Sequence, residues 1–279
     1  MTYRSLLVLL DQDPSCEARV DAAVRLAKSF DAHLVGVAPT GVIQMPAVPE
    51  VAVSLNELCA LAWDTLRDQA ETSMQKFRDS CRRAGLTSFE ALTEESDKPS
   101  AVIRCARCSD LTVLTRATQA PGGPASRELI EQVVLQSARP VLLLPPVVPA
   151  GVLGRKVLVA WDDSREASRA VADALPMLRK AEQVHVTTWD EPDTRRLGKL
   201  RERLQALRQW LTWQGVAAEV DIEVPQSAVS TAIISRAVDL GASLVVMGAY
   251  GHARWTERLL GGATRDLLDE SPLPLMMSH

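Results

Sequence analysis

Four glycines lie close together near the C-terminus, in the stretch MGAYGHARWTERLLGGATRDLL. They are Gly248, Gly251, Gly261 and Gly262. A glycine-lined loop that leads into a helix presents free backbone N–H groups and the positive end of the helix dipole, which together can hold a phosphate. Gly251 can adopt a positive φ or let a ligand approach the backbone closely. The same glycines can also do no more than turn the chain, and their spacing alone leaves the two interpretations even.

The composition argues against several other kinds of site. The 279 residues carry 31 basic and 35 acidic side chains, for a formal net charge of −4, and the basic residues are spread out. This distribution gives no electrostatic footprint for nucleic acid. No apolar run approaches the roughly 20 residues that cross a bilayer, so we expect no membrane partner. The short apolar N-terminal stretch is followed at once by an acid, which argues against a signal peptide and predicts a cytoplasmic protein.

The five cysteines show no regular framework, which fits a reducing compartment. Cys105 and Cys108 form a CxxC in a segment that looks helical. No second CxxC or nearby histidine completes a metal site. We therefore predict inert thiols and no metal site.

The second half of the chain repeats the first. SLLVLLDQDPSCEARVDAAVRLA near the start resembles KVLVAWDDSREASRAVADALPML at 156–178, so that Asp11 corresponds to Asp162. The offset between matching residues falls from 151 at this point to about 134 near the end of each copy. The first half therefore carries extra residues in its middle, and we expect them in the Pro-punctuated stretch 39–50.

A Pro/Gly-rich linker at 145–155 separates the two copies. It predicts an N-terminal domain at 1–147 and a C-terminal domain at 154–279. Each copy alternates short, continuous apolar runs with helical segments, as expected for a parallel sheet covered on both faces. We therefore predict an α/β fold with two tandem, doubly wound, parallel five-stranded sheets of the Rossmann-like kind.

In the second half we expect strands near 156–161, 183–189, 218–224, 243–248 and 273–278, and helices over 165–180, 195–214, 227–240 and 262–270. In such sheets a ligand binds beyond the carboxyl ends of the strands, at the point where the strand order reverses. Asp162, Trp189 and Gly248 each lie at the end of a predicted strand, so we expect them to gather there.

The glycine loop resembles the G-x2-G-x9-G-(S/T) signature of the universal stress protein family. The resemblance extends to the turn VAWDDS and to the final strand LPLMMSH, and it covers nearly the whole chain. The doubled organisation is similar to the tandem members of that family. The resemblance implies an adenine nucleotide alpha hydrolase-like fold. It also implies a non-catalytic stress-response protein that binds ATP or another adenine nucleotide, with or without Mg²⁺.

The resemblance further implies a set of nucleotide contacts in the C-terminal domain. Asp162 matches the acid that contacts adenine or ribose, and Trp189 matches a position that lines adenine. The full set of implied nucleotide-binding residues is Ala160, Trp161, Asp162, Trp189, Met247, Gly248, Gly251, His252, Gly261, Gly262, Ala263 and Thr264. The set includes no catalytic residue.

The sequence departs from the signature at two places. Gly262 replaces the usual Ser or Thr and removes a hydroxyl donor, worth about 1.5–3 kcal/mol to a charged acceptor, for which Thr264 is a partial substitute. In the first half, residues 115–118 read TRAT where the second half has its first glycine pair. We therefore predict that the N-terminal domain binds no nucleotide in this mode and completes a dimer-like fold within one chain.

Two other functions stay open. One is a slow ATPase, although no carboxylate or histidine is convincingly placed to activate water and no P-loop lysine follows the glycines. The other is a nucleotide-free scaffold that acts through partner proteins. The final strand predicts pairing within the chain, as an intramolecular pseudo-dimer, or between chains, as a homodimer. Trp210 and Trp213, three residues apart, are expected to pack in the core.

Overall fold

The structure is a computed structural model that describes residues 2–41, 52–116, 127–148, 153–190, 194–251 and 262–279. The chain divides into two compact units, which we call the N-terminal unit (Tyr3–Ser137) and the C-terminal unit (Ala138–His279). Within the described ranges, none of the helices is both long and apolar enough to cross a membrane.

The N-terminal unit has four parallel strands in the order β3-β2-β1-β4. Its elements are β1 (Ser5–Leu9), α1 (Cys16–Phe30), β2 (His33–Pro39), α2 (Ala52–Arg83), β3 (Phe89–Glu94), α3 (Lys98–Ala106), β4 (Leu111–Thr115) and α4 (Arg127–Gln136). Helix α1 forms because Val20, Ala23, Val24 and Ala27 recur at helical spacing and are all buried on one face.

The C-terminal unit has six strands in the order β5-β10-β9-β6-β7-β8. Its elements are β5 (Val141–Leu144), β6 (Lys156–Ala160), α5 (Arg165–Leu178), β7 (Gln183–Trp189), α6 (Thr194–Trp213), β8 (Glu219–Glu223), α7 (Val229–Asp239), β9 (Leu244–Gly248), α8 (Gly262–Glu270) and β10 (Leu275–Ser278). Every strand and helix predicted for the second half is present, with ends within two residues of the prediction.

Strand β5 differs in direction from the other strands. It pairs antiparallel with β10, with Leu143 opposite Leu275, whereas the remaining pairings in this unit are parallel. Each half of the sequence thus supplies five strands, as predicted, but β5 belongs to the C-terminal unit. The final strand therefore pairs within the chain, which was one of the two arrangements predicted for it.

The extra length of the first half lies between β2 and β3. Helix α2 is 32 residues long, whereas its counterpart α6 has 20, so part of the extra length is helical. Of the predicted insertion at 39–50, Pro39 ends β2, and residues 42–50 lie outside the described part of the chain.

The strand order of the C-terminal unit reverses between β6 and β9. The chain leaves β6 through α5 toward β7 on one side, and it leaves β9 through α8 toward β10 on the other. Ala160 at the end of β6 pairs with Met247 at the end of β9. The loops that follow these two residues therefore flank the switch point, where ligands bind in sheets of this kind.

Candidate functional site

The loop after β6 carries the predicted acid of the site. Asp162 is exposed, and its Oδ1 accepts a hydrogen bond of 3.1 Å from the backbone N–H of Ser164, which closes the turn into α5. The next residue, Asp163, has a φ of 59° and is held by a forked hydrogen bond from Arg203. Within the described part of the chain Asp162 forms no ion pair, so its carboxylate is available to a ligand.

The loop after β9 lies unusually close to the first turn of α5. A Cβ atom on Gly248 would lie 2.5 Å from the backbone N of Ala167 and 2.7 Å from the carbonyl C of Glu166. A Cβ on Gly251 would lie 3.0 Å from Oε2 of Glu166. Gly248 therefore lets the helix and the loop approach each other, and Gly251 lies against a side-chain oxygen of the same helix. Close packing is thus a third role for the glycines beside turning the chain and holding a phosphate.

One role expected for Gly251 was a positive φ, but the preceding residue, Tyr250, has it instead. Tyr250 has a φ of 55°, whereas Gly251 is outside the left-handed region. The turn after β9 is thus made by a tyrosine in a conformation that non-glycine residues adopt uncommonly. The contact with Glu166 therefore gives Gly251 a role in side-chain packing and not in a left-handed backbone conformation.

Glu166 is a residue of this site that the sequence analysis missed. It lies in the first turn of α5 and is 5% exposed, although acids are rarely buried without a partner. Its Oε1 accepts hydrogen bonds of 3.0 and 2.7 Å from Nε and Nη2 of Arg165. Burial raises the pKa of Glu166, but hydrogen bonds from its own backbone and Arg165, with the charges of Arg165 and His279, outweigh it and lower the pKa.

The two tryptophans of the predicted site differ in their surroundings. Trp161 is 4% exposed, so its ring is a core side chain and not an open platform for a base. Its backbone N–H donates to the carbonyl of Thr187 at 3.0 Å. Trp189 is half-buried, and its indole Nε1 donates to Oε2 of Glu223 at 3.1 Å, which fixes the ring at the end of β7.

The phosphate end of the predicted site is described only in part. His252 and Gly261 lie outside the described residues, as do the side chains of the two residues that open α8. Helix α8 begins at Gly262, as predicted, so Gly262 and Ala263 are at its N-terminus. Thr264 is buried, which weakens its predicted role as a substitute hydroxyl for the phosphates.

The N-terminal unit holds its matching acid in a different way. The side chain of Asp11 is 3% exposed, and its Oδ1 accepts a hydrogen bond of 2.7 Å from Nη2 of the fully buried Arg19. The same guanidinium donates to the carbonyl of Leu9 at 2.9 Å and to Oγ1 of Thr115 at 3.1 Å. Lys98 lies 3.4 Å from the second oxygen of Asp11. Arg19 therefore ties together the ends of β1 and β4, where the C-terminal unit has its switch point.

The arginine explains why the two copies differ so strongly at this point. In the repeat, Arg19 aligns with Ala170, Thr115 aligns with Gly248, and Leu9 aligns with Ala160. Ala170 is fully buried in α5. An arginine on the apolar face of an alanine-rich helix was the sequence signal by which the buried Arg19 could have been found.

The charge state of Asp11 follows from its partners. Burial raises the pKa of this carboxyl, but the charges of Arg19 and Lys98 and the hydrogen bonds from Arg19 and the Asp13 backbone lower it below its ordinary value overall. The pair is therefore ionised near neutral pH, and Asp11 is committed to the protein's own cations.

A cavity of about 650 Å³ lies in the N-terminal unit, between the loop after β1 and one face of α2. Val20 and Phe77 supply apolar surface, whereas Glu17, Lys76 and Arg83 bring charges of both signs. This mixture selects no single class of ligand, and we assign it none.

Cys105 in α3 and Trp213 in α6 carried two further predictions from the sequence. Cys105 is a free thiol whose pKa is raised to about 11, first by burial and then by the nearby Glu94, so it holds its proton. In the part of the chain that the structure describes, no cluster of three or more potential metal ligands is found. The prediction that Trp213 packs in the core is wrong, because this residue at the end of α6 is 73% exposed.

Comparison with known proteins connects this architecture to one family. The family model of the universal stress protein family matches residues 154–279. A universal stress protein from Archaeoglobus fulgidus DSM 4304 is 18% identical over 98% of this chain and 97% of its own, with a TM-score of 0.74. A provisionally named universal stress protein from Pseudomonas aeruginosa UCBPP-PA14 is 17% identical over 99% of this chain and 93% of its own, with a TM-score of 0.59.

A shorter universal stress protein from Archaeoglobus fulgidus, solved in complex with dAMP, is 19% identical over 43% of this chain and 94% of its own, with a TM-score of 0.36. Among curated proteins, none matches the sequence. The family model covers the C-terminal half, and the likeness in fold to the first two structures extends over both halves. As the glycine signature predicted, residues 154–279 are a domain of the universal stress protein family.

Proposed function

We propose that the protein is a non-catalytic stress-response protein that binds an adenine nucleotide in its C-terminal domain. The observation that carries this proposal is the contrast between the two switch points. In the C-terminal unit Asp162 is exposed and Ala170 stands at the position of Arg19, whose guanidinium binds Asp11 in the N-terminal unit. The acid of the C-terminal switch point is thus open to solvent, whereas its N-terminal counterpart is bound by the protein's own cations.

The residues of the C-terminal switch point suit the parts of a nucleotide. The exposed Asp162 carboxylate can accept hydrogen bonds from ribose hydroxyls or an adenine amino group. The N-terminus of α8, a helix of nine residues, offers backbone N–H groups to an anion. ATP is the adenine nucleotide that the glycine signature favours, and we include Mg²⁺ only as a companion of its phosphates. Ala160, Met247 and Trp189 would line the base and sugar.

A binding role is favoured over hydrolysis by the acid that lies nearest to the loop. Glu166 is the one described carboxylate found against Gly251, and its lowered pKa makes it a weak base near neutral pH. Its other oxygen, Oε1, is engaged by Arg165. The output of binding is therefore proposed to be a change in conformation or in partner binding.

We further propose that the two sequence domains, 1–147 and 154–279, act as an intramolecular pseudo-dimer with one nucleotide site. Association into a homodimer is compatible with this proposal and is not required by it. The cytoplasm is the proposed location, on the sequence argument alone.

The test is to identify any nucleotide released by denaturing the purified protein and then to titrate ATP, ADP and AMP into the stripped protein by calorimetry. Asp162→Ala should weaken binding about tenfold or more, since a hydrogen bond to a charged group is worth about 1.5–3 kcal/mol. Asp239→Ala is the matched control. This exposed acid ends α7, which leads into the amino end of β9, whereas Asp162 follows the carboxyl end of β6. Gly251→Val is less suitable, because its side chain would meet Glu166.

Each outcome separates one function from another. Absence of binding for all three nucleotides at millimolar concentration would contradict the proposal and favour the nucleotide-free scaffold. Phosphate release from ATP that disappears in Asp162→Ala would instead establish the slow ATPase.

A further inference from the structure

The two cysteines of the CxxC lie in a tight turn at the end of α3. Cys105 is in the last turn of the helix, and the backbone N–H of Cys108 donates to the Cys105 carbonyl at 3.1 Å. The N–H of Ser109 donates to the carbonyl of Ala106 at 3.0 Å, so two successive hydrogen bonds of the 3₁₀ kind close this turn. Side chains three residues apart eclipse each other in 3₁₀ geometry. The turn therefore places both thiols on the same side of the chain.

The backbone of this turn already has the span of a disulfide. In a turn closed by a hydrogen bond between the first and fourth residues, the Cα atoms of those residues lie less than about 7 Å apart. A disulfide joins residues whose Cα atoms are about 4.4–6.8 Å apart. An S–S bond between Cys105 and Cys108 is therefore compatible with the path of the chain.

The two thiols differ in their surroundings. Cys108 is exposed, whereas Cys105 is half-buried and its Sγ lies 3.8 Å from Oε1 of Glu94. Burial and then the nearby Glu94 raise the pKa of Cys105 to about 11, so this thiol keeps its proton near neutral pH. Oxidation of a cysteine requires access and thiolate character. An oxidant therefore reaches Cys108 first, and Cys105 is the neighbour that can react with the oxidised sulfur.

We propose that Cys105 and Cys108 form a redox site, in which a peroxide oxidises Cys108 and Cys105 then closes a reversible disulfide across the turn. This role replaces the inert thiols that the sequence predicts for the pair. Disulfides in a reducing compartment are usually transient and serve catalysis or redox sensing. The site lies in the N-terminal unit and does not depend on the proposed nucleotide site.

The oxidation takes place in two steps. The Cys108 thiolate attacks one oxygen of hydrogen peroxide, the O–O bond breaks, and the departing hydroxide takes up a proton to become water, which leaves a sulfenic acid. The Cys105 sulfur then attacks the Cys108 sulfur, so that an S–S bond forms and the S–O bond breaks. The proton of the Cys105 thiol and the departing hydroxide form a second water. Two thiols and one peroxide thus give one disulfide and two waters, and an external dithiol reverses the reaction by exchange.

The test is a peptide map of the full-length protein after treatment with millimolar hydrogen peroxide. Free thiols are alkylated, and the protein is digested with trypsin without reduction and analysed by mass spectrometry. Trypsin cuts after the arginine that precedes each cysteine, which places Cys105 in the peptide 105–107 and Cys108 in the peptide 108–116. We expect these two peptides to be linked in most chains and to separate after dithiothreitol is added.

Two variants assign the order of reaction. In Cys105→Ser the sulfenic acid of Cys108 has no partner thiol, so dimedone should label residue 108 severalfold more than in wild-type protein. In Cys108→Ser, dimedone should not label Cys105, because that thiol holds its proton. Cys16→Ser is the matched control, since it removes another partly buried thiol of the same unit and should leave the yield of linked peptide unchanged. Circular dichroism verifies that each variant is folded.

Three results would overturn the redox site. The first is absence of the linked peptide, whether residue 108 stays reduced or is oxidised beyond the sulfenic acid. The second is a disulfide from Cys108 to another cysteine or to a second chain. The third is equal dimedone labelling of residue 108 in wild-type protein and Cys105→Ser, which would show that Cys105 does not react with the sulfenic acid.

Discussion

Asp11 and Asp162 occupy the same place in two copies of one fold and have opposite surroundings. The side chain of Asp11 is buried and bound by Arg19 and Lys98, whereas Asp162 is exposed and accepts a hydrogen bond from the turn that follows it. The strands, helices and turns before and after these acids match between the copies. The difference arises from the helix position that carries Arg19 in one copy and Ala170 in the other.

This comparison shows how a duplicated fold can keep a ligand site in one copy and convert it into an internal ion pair in the other. A fold alone does not determine function, because function depends on the side chains that a site brings together. In the N-terminal unit the guanidinium of Arg19 satisfies the acid and the strand ends. In the C-terminal unit we propose that a nucleotide does so.

The largest expected effect is that of Asp11→Ala. It leaves the Arg19 guanidinium buried without a balancing carboxylate, and removing one partner of a buried pair costs about 3–5 kcal/mol. Hydrogen exchange of the β1 and β4 peptides, measured by mass spectrometry, reports the loss at the two strand ends that Arg19 joins. Asp162→Ala should cost about 1 kcal/mol or less, since it loses one exposed hydrogen bond.

A double variant distinguishes the lost pair from a general packing defect. Asp11→Ala combined with Arg19→Met removes both charges, and replacement of a buried pair by apolar side chains is often close to neutral. The double variant should therefore regain most of the protection from hydrogen exchange that Asp11→Ala loses in the β1 and β4 peptides. Unchanged protection in Asp11→Ala alone would contradict the structural importance of the pair.

The second effect in size concerns the close approach that is special to the C-terminal unit. Gly248→Ala places a methyl group 2.5 Å from the backbone N of Ala167, where the helix must move. Overpacking of this kind costs about 1–3 kcal/mol. Thermal unfolding followed by circular dichroism measures the loss.

Gly198 supplies the control for that substitution, because it lies within α6 and a Cβ there would meet nothing within 4 Å. Gly198→Ala should stabilise the protein by about 0.5–1 kcal/mol, since glycine is the poorer helix former. Equal changes in stability for the two substitutions would contradict the role of Gly248 in helix packing.

The smallest expected effect is the pH dependence of the N-terminal unit. The folded pKa of Asp11 lies below its ordinary value, so the stability it contributes is fully present above the unfolded value of about 3.9. That contribution is lost as the pH falls through the folded pKa, at about 1.4 kcal/mol for each pH unit between the two values.

Urea unfolding of wild-type protein and Asp11→Asn from about pH 5 downward measures this dependence. The variant should be less stable near neutral pH, and the gap should narrow as the solution is acidified. A gap that widens on acidification would show that Asp11 is not stabilised in its charged form.

Much of the C-terminal unit could be predicted from sequence because its signals are local. Apolar runs such as VLVA at 157–160 and SLVVM at 243–247 form buried strands, and Gly262 starts α8 where the glycine pair ends. Such elements depend on the periodicity of a few neighbouring residues. The same locality allowed the acids of the two copies to be aligned.

The residues that the sequence analysis missed all depend on contacts far along the chain. Arg19 is meaningful only because α1 brings it to Thr115, 96 residues away. Glu166 matters because α5 packs on the end of β9, and the direction of β5 depends on its pairing with β10. Contacts between residues so far apart in the sequence cannot be inferred from the pattern of neighbouring residues.

The sequence by itself determined the duplication, the order of strands and helices in the second half, the resemblance of residues 154–279 to the universal stress protein family and the placement of Asp162 at a strand end. These follow from local periodicity and from the spacing of glycines, which act within a few residues. Only the tertiary structure decided that Arg19 closes the first switch point and that the glycines of the second admit a buried acid. Those outcomes depend on which side chains the packed helices bring within hydrogen-bond distance, a property of the assembled core and not of any one segment.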